Sequence, residues 1–423
     1  MPLFTSTSFA STSASGTDWR DTSKKVLEQL ESVRQHPNSF NLGFLYISDH
    51  LAEDATSIFN LFKSVLKIDN WVGSVGMGVI GCGKSYVDMP AISAMVGKFP
   101  EDSFCVFPTD NNAQDSEASS DDDADELSLQ DNVKAWLAST TPMLTLVHGD
   151  PMAIHDPQTF MHELESTTNS FLVGGLTSSR SKHYQIANAV RHNAVSGVFF
   201  ADSVPVATTL SQGCAPISEL HTITKSDEFT ILELDDRRAL DVFQDDLRIL
   251  AAKKLGKKPD EFLGDLKSME ASDYIPKEFK SLFKGQVHVA LPFSQSDQKD
   301  YMVRNITGID PDEGSISISE NVTTGAHITF VERDEKSVAA DLSRTLVALR
   351  KRVQAERGCF EPKAALYVSC VARGFSEKTS NSEDEMHLIK DIIGDIPLTG
   401  FYAGGEINNA RLYGYTGVLT LFF

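Results

Sequence analysis

Short apolar runs alternate with amphipathic stretches along nearly the whole chain, and this alternation limits the fold more than any single motif does. A buried strand needs only about four to eight apolar residues, whereas a surface helix needs an apolar stripe recurring every three to four positions. Interleaving the two predicts an α/β (α+β) protein: mixed β-sheets flanked by helices, with sheet layered on sheet and helices outside as one arrangement.

In the first half, residues 24–34 read as a helix through Val26, Leu27, Leu30 and Val33. Residues 42–47 read as a strand, and Ile58, Phe59, Phe62, Val65 and Leu66 form a second helical stripe. Extended segments follow at 72–80, 104–107 and 143–147, a short helix at 160–164, and strands at 171–173 and 195–200. Residues 204–210 are expected to pair back on 195–200 across a turn at 201–203. Another strand covers 228–234, and a Leu/Ala-rich helix runs from Arg238 to about Lys254.

The polar, lysine-rich stretch after that helix places a domain junction between Asp236 and Gly285. The expected organisation is a lead-in at 1–41, a first domain at 42–236 and a second at 237–423. In the second, strands are expected at 287–291, 302–306, 316–318, 328–331 and 364–371, with a strand pair at 412–423. Val338, Leu342, Leu346, Leu349 and Val353 mark a long helix whose acidic start and basic end suit its dipole. Residues 386–393 read as another helix, and no short-period repeat is visible.

The net charge is −21, from 38 basic and 59 acidic residues, which argues against a nucleic-acid groove or an anionic membrane surface as partner. Nine of the acids lie between Thr109 and Asp131 with no Lys or Arg, so 110–131 reads as a solvated, disordered insertion. An EF-hand loop there would need a glycine and a distal Glu at spacings this stretch lacks. Five scattered cysteines without a CxxC pair argue against a disulfide framework or structural zinc. With no secretion signal and no apolar run of membrane length, a cytoplasmic, reducing location is expected.

Several motifs invite chemistry. Gly78 to Ser85 spells GxxxxGK[ST], and Gly76 to Gly81 spells GxGxxG. Phosphate binding needs the start of a helix at that point, and Tyr86-Val-Asp-Met-Pro90 disfavours one. His148, Asp150, His155 and Asp156 could gather a metal, but Pro151 and Pro157 favour a loop in which Asp156 caps the helix through Phe160. Cys214 would need a base such as His221 to act as a nucleophile, and otherwise reads as a buried thiol.

Two segments suggest a pocket. Cys370-Val-Ala-Arg373-Gly374 ends a buried strand on a guanidinium, which could hold a ligand carboxylate or pair with Glu406. Residues 396–407 set Gly400, Gly404, Gly405 and Glu406 in an apolar, aromatic run. That pattern fits either a pocket wall or a glycine-weakened core strand.

These segments in order resemble the FIST family of sensory proteins, with an N-terminal and a C-terminal FIST domain, over roughly 42–423. The likeness rests on Gly78-Val-Ile-Gly81-x-Gly83, Pro90-Ala-Ile-Ser, Phe171-Leu-Val-Gly174-Gly175-Leu, Val195-Ser-Gly-Val-Phe-Phe, Ser211-Gln-Gly213-Cys214-x-Pro216-Ile and Thr230-Ile-Leu-Glu-Leu-Asp235 in the first domain. In the second it rests on Tyr301-x-Val-Arg304-x-Ile-x-Gly308-x-Asp310, Gly325 through Asp334, Cys370-x-x-Arg373-Gly374, Pro397 through Ile407 and Gly414-Tyr-Thr416. Lys84-Ser-Tyr-Val-Asp88 departs from the arginine and glutamates usual after the first motif, so the phosphate-loop spelling reads as a local accident.

The resemblance implies detection of a small ligand, with amino acids the usual proposal, and coupling to signalling. The ligand set would be Arg373, Gly374, Gly400, Gly404, Gly405, Glu406, Arg304, Gly174 and Gly175, with an anionic group on Arg373 and Arg304 and an amine on Glu406. No cofactor is expected. Haem-based nitric oxide sensing is the alternative the family offers, with an axial ligand among eleven histidines. An enzyme or nucleotide-binding protein using the GK[ST] segment is a further alternative. There is no room before Leu42 for an F-box and no output segment, so a partner such as a histidine kinase or cyclase is expected to carry the signal.

Overall fold

A computed structural model describes residues 3–6, 8–30, 40–109, 129–153, 156–254, 256, 287–292, 301–333, 335–375 and 380–423. Most of the acidic stretch 110–131, and most of the lysine-rich stretch after Lys254, lie outside the described residues. By packing, the chain forms two compact units: residues 1–212 with 339–423, and residues 213–338. These units interleave along the chain, so they divide it differently from the consecutive segments 42–236 and 237–423.

The first unit uses one local pattern three times. A buried strand leads through a helix into a second strand parallel to the first: Leu42–Ser48, Ala55–Leu66 and Asn70–Gly76. Pro142–Gly149, Pro157–Thr168 and Phe171–Leu176 repeat it, as do Ala364–Cys370, Ser380–Ile393 and Leu398–Ala403. Parallel neighbours cannot be joined by a tight turn, so each pair needs a crossover, and the helix is that crossover. Each pair seeds a separate mixed sheet. The first sheet adds Leu3–Ser6, Phe9–Ser15, Ala91–Gly97, Gln185–Ala187 and Val190–Arg191. The second adds Phe104–Pro108, Val195–Ala201, Glu406–Asn408 and Arg411–Tyr413. The third adds Gly78–Gly81, Lys84–Val87, Val206–Gln212 and Thr416–Phe422.

All three sheets turn a face toward one core. Phe44, Tyr46 and Val72 meet Leu144, Leu146 and Val198 and also Leu366, Val368 and Phe401 there. The outer faces are covered by helices: Ile58 and Phe62 pack on Leu45 and Ile47, Met161 and Leu164 on Val147 and Leu172, and Leu346 and Ile389 on Ala365 and Tyr367. Strands buried on both faces are why 364–370 reads as an unbroken apolar run. Each fully buried Leu, Ile or Phe contributes about 1.5–3 kcal/mol.

A glycine stands in the middle of each second strand: Gly73, Gly174 and Gly400, opposite Leu45, Val147 and Tyr367. A Cβ at any of them would fall within 3.0 Å of the opposing carbonyl oxygen, a separation that real Cβ atoms essentially never show. Glycine is needed here for the close approach of two backbones.

Some sequence expectations are corrected. Val206–Gln212 does not pair with Val195–Ala201; it pairs with Thr416–Phe422, while Val195–Ala201 lies between Phe104–Pro108 and Pro142–Gly149. Both apolar strands suit a hairpin by composition, but pairing is set by the cores their faces must join. The run 72–80 breaks into Asn70–Gly76 and Gly78–Gly81 in different sheets, and Arg411–Tyr413 and Thr416–Phe422 are likewise split between two.

Asp156 caps the helix Pro157–Thr168, its carboxylate accepting from the Gln158 and Thr159 amides with Pro157 in the first turn. Asp156→Ala is expected to cost about 1 kcal/mol, read as a shift in the urea midpoint. His148 takes no part in that loop, being fully buried with its Nε2 3.2 Å from the Tyr46 hydroxyl.

The second unit is an antiparallel sheet in which Val287–Pro292 and His327–Arg333 are neighbouring inner strands, with Leu240, Phe243 and Leu247 of helix Ala239–Lys254 packed on Ile231 and Phe330. Within it, both ring nitrogens of His221 are committed, Nδ1 to Asp235 at 2.6 Å and Nε2 to Asp246 at 2.9 Å. Burial opposes the charged imidazole, but the two carboxylates outweigh it and raise the His221 pKa.

Candidate functional site

The third sheet's two parallel strands, Ala364–Cys370 and Leu398–Ala403, end side by side, and the chain leaving their carboxyl ends carries Arg373 and Glu406. In open α/β sheets this is where ligands bind. Arg373 follows in the short helix Val371–Gly374 and is 3% exposed. Its Nε donates to Glu385 Oε1 at 3.0 Å, and its Nη1 to the Ser211 carbonyl and hydroxyl oxygens at 3.2 Å each. Glu385 in turn accepts from the Tyr367 hydroxyl at 3.0 Å. Desolvation works against the guanidinium, yet Glu385 beside it more than compensates and drives its pKa up.

Glu406 is fully buried, and it is not the ion-pair partner of Arg373; that role belongs to Glu385. Its Oε2 accepts from the Thr416 amide at 3.1 Å and the Thr416 hydroxyl at 2.9 Å. Burial raises its pKa to about 8, against the opposing pull of Thr416, the Cys370 thiol and the more distant Arg373. The Cys370 thiol is itself held protonated by burial and by Glu406.

Three buried atoms here have no hydrogen-bond partner: Arg373 Nη2, Glu406 Oε1 and Ser369 Oγ. Ser369 and Ser211 both face Gly417, which has no side chain, from strands on either side of it, and Arg373 reaches across that row. Folded proteins leave few such atoms, because each costs about 1–3 kcal/mol. Arg373 thus keeps one unused cationic donor, Glu406 one unused carboxyl oxygen and Ser369 one unused hydroxyl.

Because Glu406 has a folded-state pKa near 8 against an ordinary 4.5, the native protein keeps a proton that the unfolded chain has lost between those values. Stability is expected to be undiminished by Glu406 below pH 4.5, to fall as pH rises, and to level above 8. Glu406→Gln should flatten that decline in denaturation midpoints measured across the range. A decline equal to that of the wild type would show that other groups cause it.

The remaining expected residues divide. The room at Gly400 and Gly174 is set by neighbouring carbonyl oxygens, as described above. At Gly175 a Cβ would meet Ala403 Cβ at 2.7 Å, at Gly374 it would meet Tyr402 Cε1 at 2.6 Å, and at Gly405 it would meet Leu412 Cδ1 at 2.9 Å. At Gly404 the nearest atom is the Thr177 oxygen at 3.4 Å. Gly175 lies opposite Glu406 in the second sheet. Arg304 lies in the other unit, its Nε on Glu320 Oε2 at 2.8 Å and its Nη1 on the Val303 oxygen at 3.1 Å. Sequence reasoning missed Glu385, Ser369, Ser211 and Thr416. One signal existed for Glu385, which stands four residues before Ile389 and so at the edge of that helix's apolar stripe.

The segment Gly78 to Ser85 forms two antiparallel strands, Gly78–Gly81 and Lys84–Val87, turning at Cys82 and Gly83. No helix starts there to present amides to a phosphate.

A model of the FIST N domain matches residues 41–237, and one of the FIST C domain matches 239–409. The chain belongs to the FIST family. FIST domains are associated with sensory signal transduction and with the sensing of small ligands. An uncharacterized protein of Mycobacterium tuberculosis (strain CDC 1551 / Oshkosh) is 30% identical over 223 residues, covering 51% of this chain and 50% of the relative. An uncharacterized protein of Mycobacterium bovis is 26% identical over 284 residues, 64% of this chain and 67% of the relative. The chain spans about half the length of the first of these relatives. Among the described residues of this FIST protein, no helix is long and apolar enough to cross a membrane.

Proposed function

We propose that this FIST protein is a cytoplasmic sensor of an amino acid or similar small zwitterion, bound at the carboxyl ends of the third sheet's parallel strands. The observation that carries this reading is the trio of unpartnered buried atoms Arg373 Nη2, Ser369 Oγ and Glu406 Oε1. A carboxylate would accept from the first two, and an ammonium group would donate to the third. Gly175, Gly374, Gly400 and Gly405 shape the surroundings by letting strands and ring faces come close, Gly174 does the same one position away, and Gly404 has ordinary contacts only. The signal passes to a partner protein such as a histidine kinase or cyclase.

Arg373→Ala is a poor probe, since it strands Glu385, so the test uses Glu406→Gln and Ser369→Ala. Calorimetric titration with a panel of amino acids is expected to find a binder whose affinity falls at least about tenfold in Glu406→Gln, a loss of about 1.4 kcal/mol. Binding near pH 7 should also release a proton, because the ligand's ammonium favours ionised Glu406. The measured enthalpy would then change with the ionisation enthalpy of the buffer. Unchanged affinity in both variants would sink the assignment.

A further inference from the structure

A second group of unpartnered polar atoms lies where the first and second sheets of the large unit face each other, and a row of the second sheet, Ser196, His148 and Gly175, leads from it to Glu406. Cross-strand register aligns Tyr46, Ser74, Gln185 and Arg191 in one row across the first sheet, on the face that also carries Phe44, Val72 and Ala187. On the second sheet His148 and Ser196 are direct cross-strand partners, on the face carrying Leu146 and Val198. The Tyr46 hydroxyl meets His148 Nε2 at 3.2 Å, which links the rows, and strand Gln185–Ala187 packs on strand Val195–Ala201.

Within this group, His148 Nδ1, Gln185 Oε1, Ser196 Oγ and Arg191 Nε are all buried without a partner. Their roles follow from the bonds already made. Gln185 donates both amide hydrogens, to the Thr177 hydroxyl at 3.0 Å and the His183 carbonyl at 2.7 Å, so Oε1 is an acceptor lacking a donor. Burial holds His148 neutral, with its pKa lowered to about 3. The buried Tyr46 hydroxyl finds its acceptor only if it donates to Nε2, which leaves the ring proton on Nδ1 as a donor. Arg191 Nε is a donor too, and among the described residues no carboxylate lies within ion-pair distance of Arg191, in a chain with 59 acidic residues.

The group therefore offers three donors, one of them cationic, and one acceptor. A carboxylate satisfies the donors and balances the Arg191 charge, and a hydroxyl on the neighbouring carbon supplies a proton to Gln185 Oε1. We propose that Arg191, His148, Ser196 and Gln185 form a second ligand site, neighbouring the first, for a small hydroxy-carboxylate.

The test uses the full chain with sodium glycolate and sodium lactate as probes, and sodium chloride at equal ionic strength as control. At about ten times Kd either probe is expected to raise the unfolding temperature by about 2 °C, and to move the His148 Nδ1 resonance in nitrogen-15 spectra. Arg191→Gln, at a partly exposed position, and Ser196→Ala should each remove that shift. Unliganded Ser196→Ala should melt no lower than the wild type, because it deletes an unpartnered hydroxyl. Glu406→Gln should keep the shift, which separates this site from the first. No shift with either probe would mean that water alone meets these atoms, and would overturn the proposal. An equal shift with chloride, or one retained in Arg191→Gln, would overturn it as well.

Discussion

Gly400→Ala is expected to destabilise the large unit by at least about 3 kcal/mol, the upper range for overpacking a rigid core. The methyl group would be forced onto the Tyr367 carbonyl oxygen of the paired strand. Neither backbone can yield easily: Tyr367 is fully buried, its strand is hydrogen-bonded on its other side to Thr416–Phe422, and the helix Ser380–Ile393 covers it. Gly404→Ala is the control. It lies in the same glycine-rich segment, but its nearest neighbour is at 3.4 Å, an ordinary contact. The control should cost less than about 1 kcal/mol, within the spread of mild substitutions. Urea midpoints for the pair decide the matter, and equal losses would refute the strand-approach explanation. Gly73 and Gly174 should behave like Gly400, since each faces a carbonyl oxygen in the same way.

Arg373→Met is expected to cost about 3–5 kcal/mol, the usual penalty for removing one member of a buried ion pair. It would leave Glu385, 6% exposed, with the Tyr367 hydroxyl as its remaining partner in the ion-pair network. One further measurement distinguishes this from simple loss of packing. Adding Glu385→Leu should restore much of the stability, because a buried pair replaced on both sides leaves no stranded charge. An additive double variant would indicate packing alone.

Local patterning carried much of the fold. The stripe Leu342, Leu346, Leu349 and Val353 forms the buried side of the helix Glu335–Arg357, and the apolar run ending at Cys370 is a strand buried on both faces with Arg373 just past it. What stayed hidden was pairing at a distance. Nothing in the composition of Val206–Gln212 says that it joins Thr416–Phe422 rather than its neighbour in sequence. The threefold strand–helix–strand repetition also escaped notice, because its copies share only a central glycine and a register, and neither repeats at fixed spacing.

The site was legible to the same degree. Arg373 and Glu406 stand out as charges in apolar runs, a signal that survives without any structure. Their partners do not. Glu385 reaches Arg373 only because the crossover helix returns over the sheet, and Thr416 reaches Glu406 only because two strands in different sheets meet there. The polar row of Tyr46, Ser74, Gln185 and Arg191 comes from strands far apart in sequence and becomes a row only through register.

The interleaving of the two units bears on how a ribosome can deliver this molecule. Thr416–Phe422 sits inside the third sheet, between Val206–Gln212 and Ala364–Cys370, so the core that all three sheets share cannot close until residue 422 has left the exit tunnel. Residues 213–338 face no such delay. They are contiguous, and their own strands bring their two ends together through the pairing of Cys214 with Arg333. Vectorial synthesis would thus release a finished smaller unit while 1–212 still waits, its strand edges unpaired and open to misassociation.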